Sequence, residues 1–182
     1  ELQSGEVRWQ QKFRATGRPF HRPTSANAAP SPVSDGKNVV AFFSSNDLVC
    51  LSTEGDLLWY RGLGADYPSA GNDVGMASSP VIADGAVIVQ VESQGDSFAA
   101  AIELASGKNR WRISRPALSN WSSPLVIDNP NSEQAAVIMQ SREDVVAVDP
   151  ANGTELWRID EARGAIPSAS QGSGILLLPG DD

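Results

Sequence analysis

One eleven-residue pattern recurs along the chain and constrains its fold more than any other feature. In residues 147–157, AVDPANGTELW, a small residue is followed by an acid, then Gly153, then Trp157 four places on. The pattern returns as AIELASGKNRW, carrying Gly107 and Trp111. It returns again as VCLSTEGDLLW, carrying Gly55 and Trp59, with Leu51 in place of the acid. A fourth copy, ELQSGEVRW, opens the sequence with Gly5 and Trp9. Four of the five tryptophans thus hold one repeated position, at separations of 50, 52 and 46 residues. A turn glycine and a bulky aromatic held in register at such a period define a repeat architecture.

Between these markers the chain reads as short strands joined by turns. EVRW (6–9) is expected to be a strand after the Ser4-Gly5 turn, and residues 10–31, rich in Gly, Pro and small polar residues, form a long loop. Ser31-Pro32 opens a unit whose strands are NVVAFFSS, LVCLS and DLLWYR, turning at Asp35-Gly36, Asn46-Asp47 and Glu54-Gly55. The β-branched and aromatic content of these runs favours extended backbone. SSPVIADG, AVIVQVE, SFAAAIEL and NRWRI repeat the scheme. So do SSPLVI, AAVIMQS, DVVAVD and TELWRI, with an insertion at 128–134. The opening prolines Pro32, Pro80, Pro124 and Pro167 keep the same period.

Four short antiparallel strands in each repeat of this length describe a propeller blade. The expected fold is all-β, with about three full blades and two partial ones. The partial blades are 1–9 and 166–178, and the full blades are 31–61, 78–113 and 122–159. A blade packs both faces on its neighbours, so its inner strands are apolar throughout and do not alternate. The repeated glycine permits the positive φ of a tight turn before the fourth strand. The repeated tryptophan can pack on the adjoining blade, where its N–H needs a backbone acceptor. Gly5, Trp9, Gly55, Trp59, Gly107, Trp111, Gly153 and Trp157 are therefore read as a structural docking motif.

These copies resemble the tryptophan-docking repeats of the pyrroloquinoline-quinone (PQQ)-like propellers, and the resemblance covers essentially the whole chain. AVDPANGTELW matches the family pattern closely, AIELASGKNRW carries Glu for Asp, and VCLSTEGDLLW is the weakest copy. The family includes quinoprotein alcohol dehydrogenases and non-enzymatic propellers, such as an assembly lipoprotein of the bacterial outer membrane. The motif is specific for the fold and says little about function. The resemblance implies a periplasmic or secreted bacterial protein. It also implies that an enzyme of the group would hold PQQ and calcium over the channel. Asp, Asn and Glu ligands, a catalytic Asp and usually a vicinal cysteine pair would surround the quinone.

The residues lean away from that enzyme. Cys50 is the one cysteine, so no vicinal pair exists, and the acids lack the spacing of a calcium loop. His21 is the one histidine, which rules out a zinc site built on histidines. GSG at 172–174 does not join a strand to a helix and reads as a turn, not a phosphate loop. A net charge of −8 disfavours nucleic acid, whose binding rests on excess Lys and Arg. No apolar run approaches the roughly 18–20 residues of a membrane span, although the parent protein could carry an anchor elsewhere.

The leading expectation is a non-catalytic binding or assembly scaffold, with no cofactor and no metal in this stretch. It would meet a protein or small ligand on the channel rim. A fragment of a PQQ-dependent dehydrogenase using calcium is the alternative. The loops leading into the blades supply the rim candidates His21, Asn27, Asn72 and Asp73, together with Trp121, the one tryptophan outside the repeat. Arg22, Arg115 and Arg163 nearby read as solvated surface charges. The chain opens inside one copy of the repeat and stops after an apolar run. It is therefore expected to be a piece of a longer protein, whose unclosed blade faces would self-associate.

Overall fold

The structure, a computed structural model, describes residues 1–17, 28–71, 75–128 and 135–180. Three repeats each form one four-stranded antiparallel sheet with strands in chain order. The first sheet holds β1 (Val33–Ser34), β2 (Asn38–Phe42), β3 (Asp47–Ser52) and β4 (Leu57–Gly62). The second holds β5 (Val81–Ala83), β6 (Ala86–Val91), β7 (Phe98–Glu103) and β8 (Asn109–Ser114). The third holds β9 (Leu125–Asp128), β10 (Ala135–Gln140), β11 (Val145–Val148) and β12 (Glu155–Ile159). A hairpin of β13 (Ser170–Gly172) and β14 (Ile175–Leu177) follows. Among the described residues the helix α1 (Leu63–Asp66) is one turn long and stands alone. The chain is all-β, and its four-stranded sheets are propeller blades.

The continuous apolar strands are explained by their two faces. On β6, Val87, Val89 and Val91 turn toward the first sheet, where they meet Val40, Phe42 and Leu48. Ala86 and Ile88 of the same strand turn the other way, onto Val137, Met139 and Val146 of the third. Side-chain direction still alternates with period two, but both directions lead into a core. The third sheet repeats this toward β14, with Ile138, Val145 and Ala147 against Leu176 and Leu178.

The repeated motif does one mechanical job at each seam. Gly55, Gly107 and Gly153 have φ of +92°, +69° and +76°. Lacking a Cβ, each accepts an indole from the preceding repeat: Trp9 on Gly55, Trp59 on Gly107 and Trp111 on Gly153. The indole N–H groups donate to the carbonyls of Thr53 (3.0 Å), Leu104 (2.8 Å) and Pro150 (2.8 Å). The strand register slips by one residue beside every sheet tryptophan, between Cys50 and Leu51, Ala101 and Ile102, and Ala147 and Val148. Such a bulge bends the outer strand and re-aims the residue that follows.

Two sequence expectations are corrected. Residues 6–9 form no strand: Trp9 docks on Gly55, yet EVRW has no neighbouring strand among the described residues to complete a ladder. The second correction concerns the innermost markers. Ser31 N–H donates to Ser79 Oγ (3.0 Å), Ser79 N–H to Ser123 Oγ (2.9 Å), and Ser123 N–H to Ser168 Oγ (2.9 Å). This serine chain joins successive units and makes Ser168 the equivalent of Ser31, Ser79 and Ser123, so Ala169, and not Pro167, stands where the other units have their opening proline.

Candidate functional site

One edge of the blades gathers the turns between the second and third strands with the loops that follow the fourth. Those loops fold back over the turns through backbone bonds: Leu63 N–H to Asn46 O, Met76 N–H to Ser44 O, Arg115 N–H to Ser97 O and Arg163 N–H to Ser141 O. This edge is the rim on which the sequence places its binding candidates. His21, Asn27, Asn72 and Asp73, and Arg22 with them, lie outside the described residues.

Trp121 sits half-buried on the rim and ties two loops together. Its indole N–H donates to the Gly75 carbonyl (3.0 Å) and its backbone N–H to Ala165 O (2.7 Å). Its polar end is thereby occupied within the protein, and what remains available is part of the ring surface.

The main electrostatic feature of the rim differs from the sequence expectation. Arg115 is not a solvated charge: its side chain is 2% exposed between two carboxylates. Its Nε donates to Glu92 Oε1 (2.8 Å) and its Nη2 to Asp144 Oδ1 (2.8 Å). Glu92 also accepts from Asn120 Nδ2 (2.8 Å) and Gln90 Nε2 (2.9 Å), while Asp144 accepts from Ser141 Oγ (2.8 Å) and pairs with Arg158. Arg115 follows β8 and Asp144 precedes β11, so the cluster locks the second sheet to the third. Burial raises the Glu92 carboxyl above the usual range, and the attraction of Arg115 with three hydrogen bonds opposes that rise. Arg163 is not freely solvated either: its side chain is 20% exposed, and its guanidinium pairs with Glu161 at 2.7 Å.

In the Arg115 joint no carboxylate is free to hold the calcium that the quinoprotein resemblance implies. A bound calcium would need carboxylates free to coordinate it. The rim's buried carboxylates in this joint are instead neutralised by guanidinium groups, and no group of three or more His, Cys, Asp or Glu side chains among the described residues could hold a metal. Cys50 lies fully buried in β3, where burial pushes its thiol up to about 11.

Comparison with known proteins fits this geometry. The sequence model of the family described as outer membrane protein assembly factor BamB matches residues 1–173. No match was found among curated proteins. Among solved structures, BamB from Moraxella catarrhalis is 17% identical, with a TM-score of 0.63 over 83% of this chain and 43% of its own. The quinohemoprotein alcohol dehydrogenase from Comamonas testosteroni is 12% identical, with a TM-score of 0.59 over 87% of this chain and 34% of its own. A second such dehydrogenase, from Pseudomonas putida HK5, is 19% identical, with a TM-score of 0.52 over 70% and 20%. The chain therefore spans less than half the length of each, and at these identities the likeness is one of fold. The family match covers nearly the whole sequence, and on that ground the chain belongs to the PQQ-like β-propeller family of the outer membrane protein assembly factor BamB.

Proposed function

We propose that this chain is part of a non-catalytic propeller that serves as a binding or assembly scaffold in the bacterial periplasm or outside the cell. Its rim engages a protein of the outer-membrane assembly machinery, with Trp121 and the loops around it contributing contact surface. The observation that carries the reading is that two of the rim's buried acids, Glu92 and Asp144, are committed to structure. Glu92 and Asp144 share Arg115 across a blade seam, which favours a rigid platform over a site with free carboxylates. The family match to an assembly factor supports the same view.

The test has two arms. The full-length parent is titrated against purified components of its own outer-membrane assembly complex by biolayer interferometry, with Trp121→Ala as the rim variant. Saturable binding that weakens in the variant is expected. In parallel the parent is mixed with PQQ and Ca²⁺, passed through gel filtration and assayed with alcohols and an artificial electron acceptor. Stoichiometric retention of quinone with alcohol oxidation would replace the scaffold with the dehydrogenase reading.

A further inference from the structure

The segment that runs on from Trp9 builds a second feature, separate from the Arg115 joint. Phe13 lies over the first sheet, with its ring centroid 5.8 Å from that of Tyr60 on β4 and 6.5 Å from that of Phe43. The rings are inclined by 32° and 56°, so they form walls instead of a stack. Together with Ala28 and Asp47 they line a cavity of about 270 Å³. That is many times the ~30 Å³ share of one water.

Asp47 makes this cavity unusual. Its residue is 1% exposed, and its carboxylate accepts from Thr16 N–H (3.1 Å), Thr16 Oγ (2.6 Å) and Ser45 Oγ (2.6 Å). All of these donors are neutral. Asp144 occupies the matching place in the third sheet, since Phe43 N–H donates to Asp47 O as Ser141 N–H does to Asp144 O. Asp144 is met by two arginines, whereas no Lys or Arg among the described residues pairs with Asp47. A buried carboxylate without a counter-ion is costly, and a cation beside it relieves that cost. The phenol of Tyr60 responds to the same surroundings, being pushed up to about 12 by burial and then by Asp47.

We propose that this cavity binds a quaternary or N-methylated ammonium ion of about choline size. Aromatic faces attract such cations through their quadrupoles, and Asp47 supplies the opposite charge. The lone pairs of Asp47 are largely occupied by Thr16 and Ser45. A cation whose charge is spread over methyl groups, and which needs no hydrogen-bond acceptors, therefore suits the site better than a primary amine. The net charge of −8 draws cations toward the protein in general.

Isothermal titration of the full chain with choline, tetramethylammonium and the neutral choline isostere 3,3-dimethylbutan-1-ol tests this. Both cations are expected to bind one per chain, and the neutral isostere about tenfold more weakly or worse. Asp47→Asn is expected to weaken choline binding about tenfold. Because that change also touches the Thr16 contacts, Phe13→Leu serves as a second variant, and a several-fold loss is expected from it. Phosphatidylcholine vesicles separate the two sources of the group. Vesicle binding competed by free choline assigns a lipid headgroup, and choline binding without vesicle binding assigns a free small molecule. Equal affinity for choline and its neutral isostere, no binding of either cation, or binding unchanged in both variants would overturn the proposal.

Discussion

Replacing Gly107 with alanine measures what the indole-on-glycine contact contributes. The residue has φ of +69°, a region that costs an L-residue about 1–2 kcal/mol. A Cβ there would also stand 2.9 Å from Cδ2 and 3.1 Å from Cγ of Trp59, so the indole has to move. Overpacking of that kind costs about 1–3 kcal/mol. Displacement endangers the 2.8 Å bond from Trp59 Nε1 to Leu104 O, worth about 0.5–1.5 kcal/mol. Taken together, Gly107→Ala should lose about 2.5–6.5 kcal/mol. Gly36 is the control: its φ is +87°, yet nothing lies within 4 Å of the place a Cβ would take. Gly36→Ala should therefore lose only the backbone part, about 1–2 kcal/mol. Urea unfolding read by tryptophan fluorescence gives both values, provided the slope is unchanged. In a Trp59→Leu background the cost of Gly107→Ala should fall to that of the control. Equal losses for the two glycines in the parent, or a Gly107→Ala cost that ignores the Trp59 background, would refute docking as a source of stability.

Three further outcomes are expected. Arg115→Met leaves Glu92 and Asp144 buried without their shared cation, and thermal melts should show a loss of about 3–5 kcal/mol. In that variant Glu92 loses the partner that opposes its raised pKa, so the folded chain takes up a proton before the unfolded chain does. Its deficit relative to the parent should then shrink as pH falls from 7 toward the ordinary 4.5, and a deficit that widens over that range would contradict the assignment. Cys50, fully buried with its thiol at about 11, should react with a thiol reagent at pH 8 only as fast as the chain unfolds; immediate labelling would show an open seam. Trp111→Phe removes the donor to Pro150 O and should cost about 1 kcal/mol more than Trp157→Phe. Trp157 is 37% exposed and its indole has no hydrogen-bond partner among the described residues, so equal costs would count against the seam bonds.

The docking positions were legible before any coordinates because they rest on short-range chemistry repeated in register. A glycine at positive φ, a tryptophan four places later and flanking apolar strands identify a blade whatever the rest of the molecule does. Even so, the sequence alone treats residues 6–9 as a strand. Whether an extended tetrapeptide belongs to a sheet depends on a neighbour to receive its hydrogen bonds, and that neighbour is not part of the local pattern.

The rim shows the other side. Arg115 follows a strand, precedes Pro116 and looks solvated in one dimension. Its burial is decided by Glu92, 23 residues before it, and Asp144, 29 residues after it, on two different sheets. Asp47 opens β3 and Asp144 immediately precedes the equivalent β11, and they look alike in sequence, but arginines reach one and aromatic rings wall a cavity beside the other. The sequence by itself determined the repeat and the blade, because these follow from local backbone geometry and period. The tertiary structure decided which charges are compensated and which cavity stays open. Those depend on side chains from separate blades converging at a seam, and desolvation acts on where a group ends up, not on where it stands in the chain.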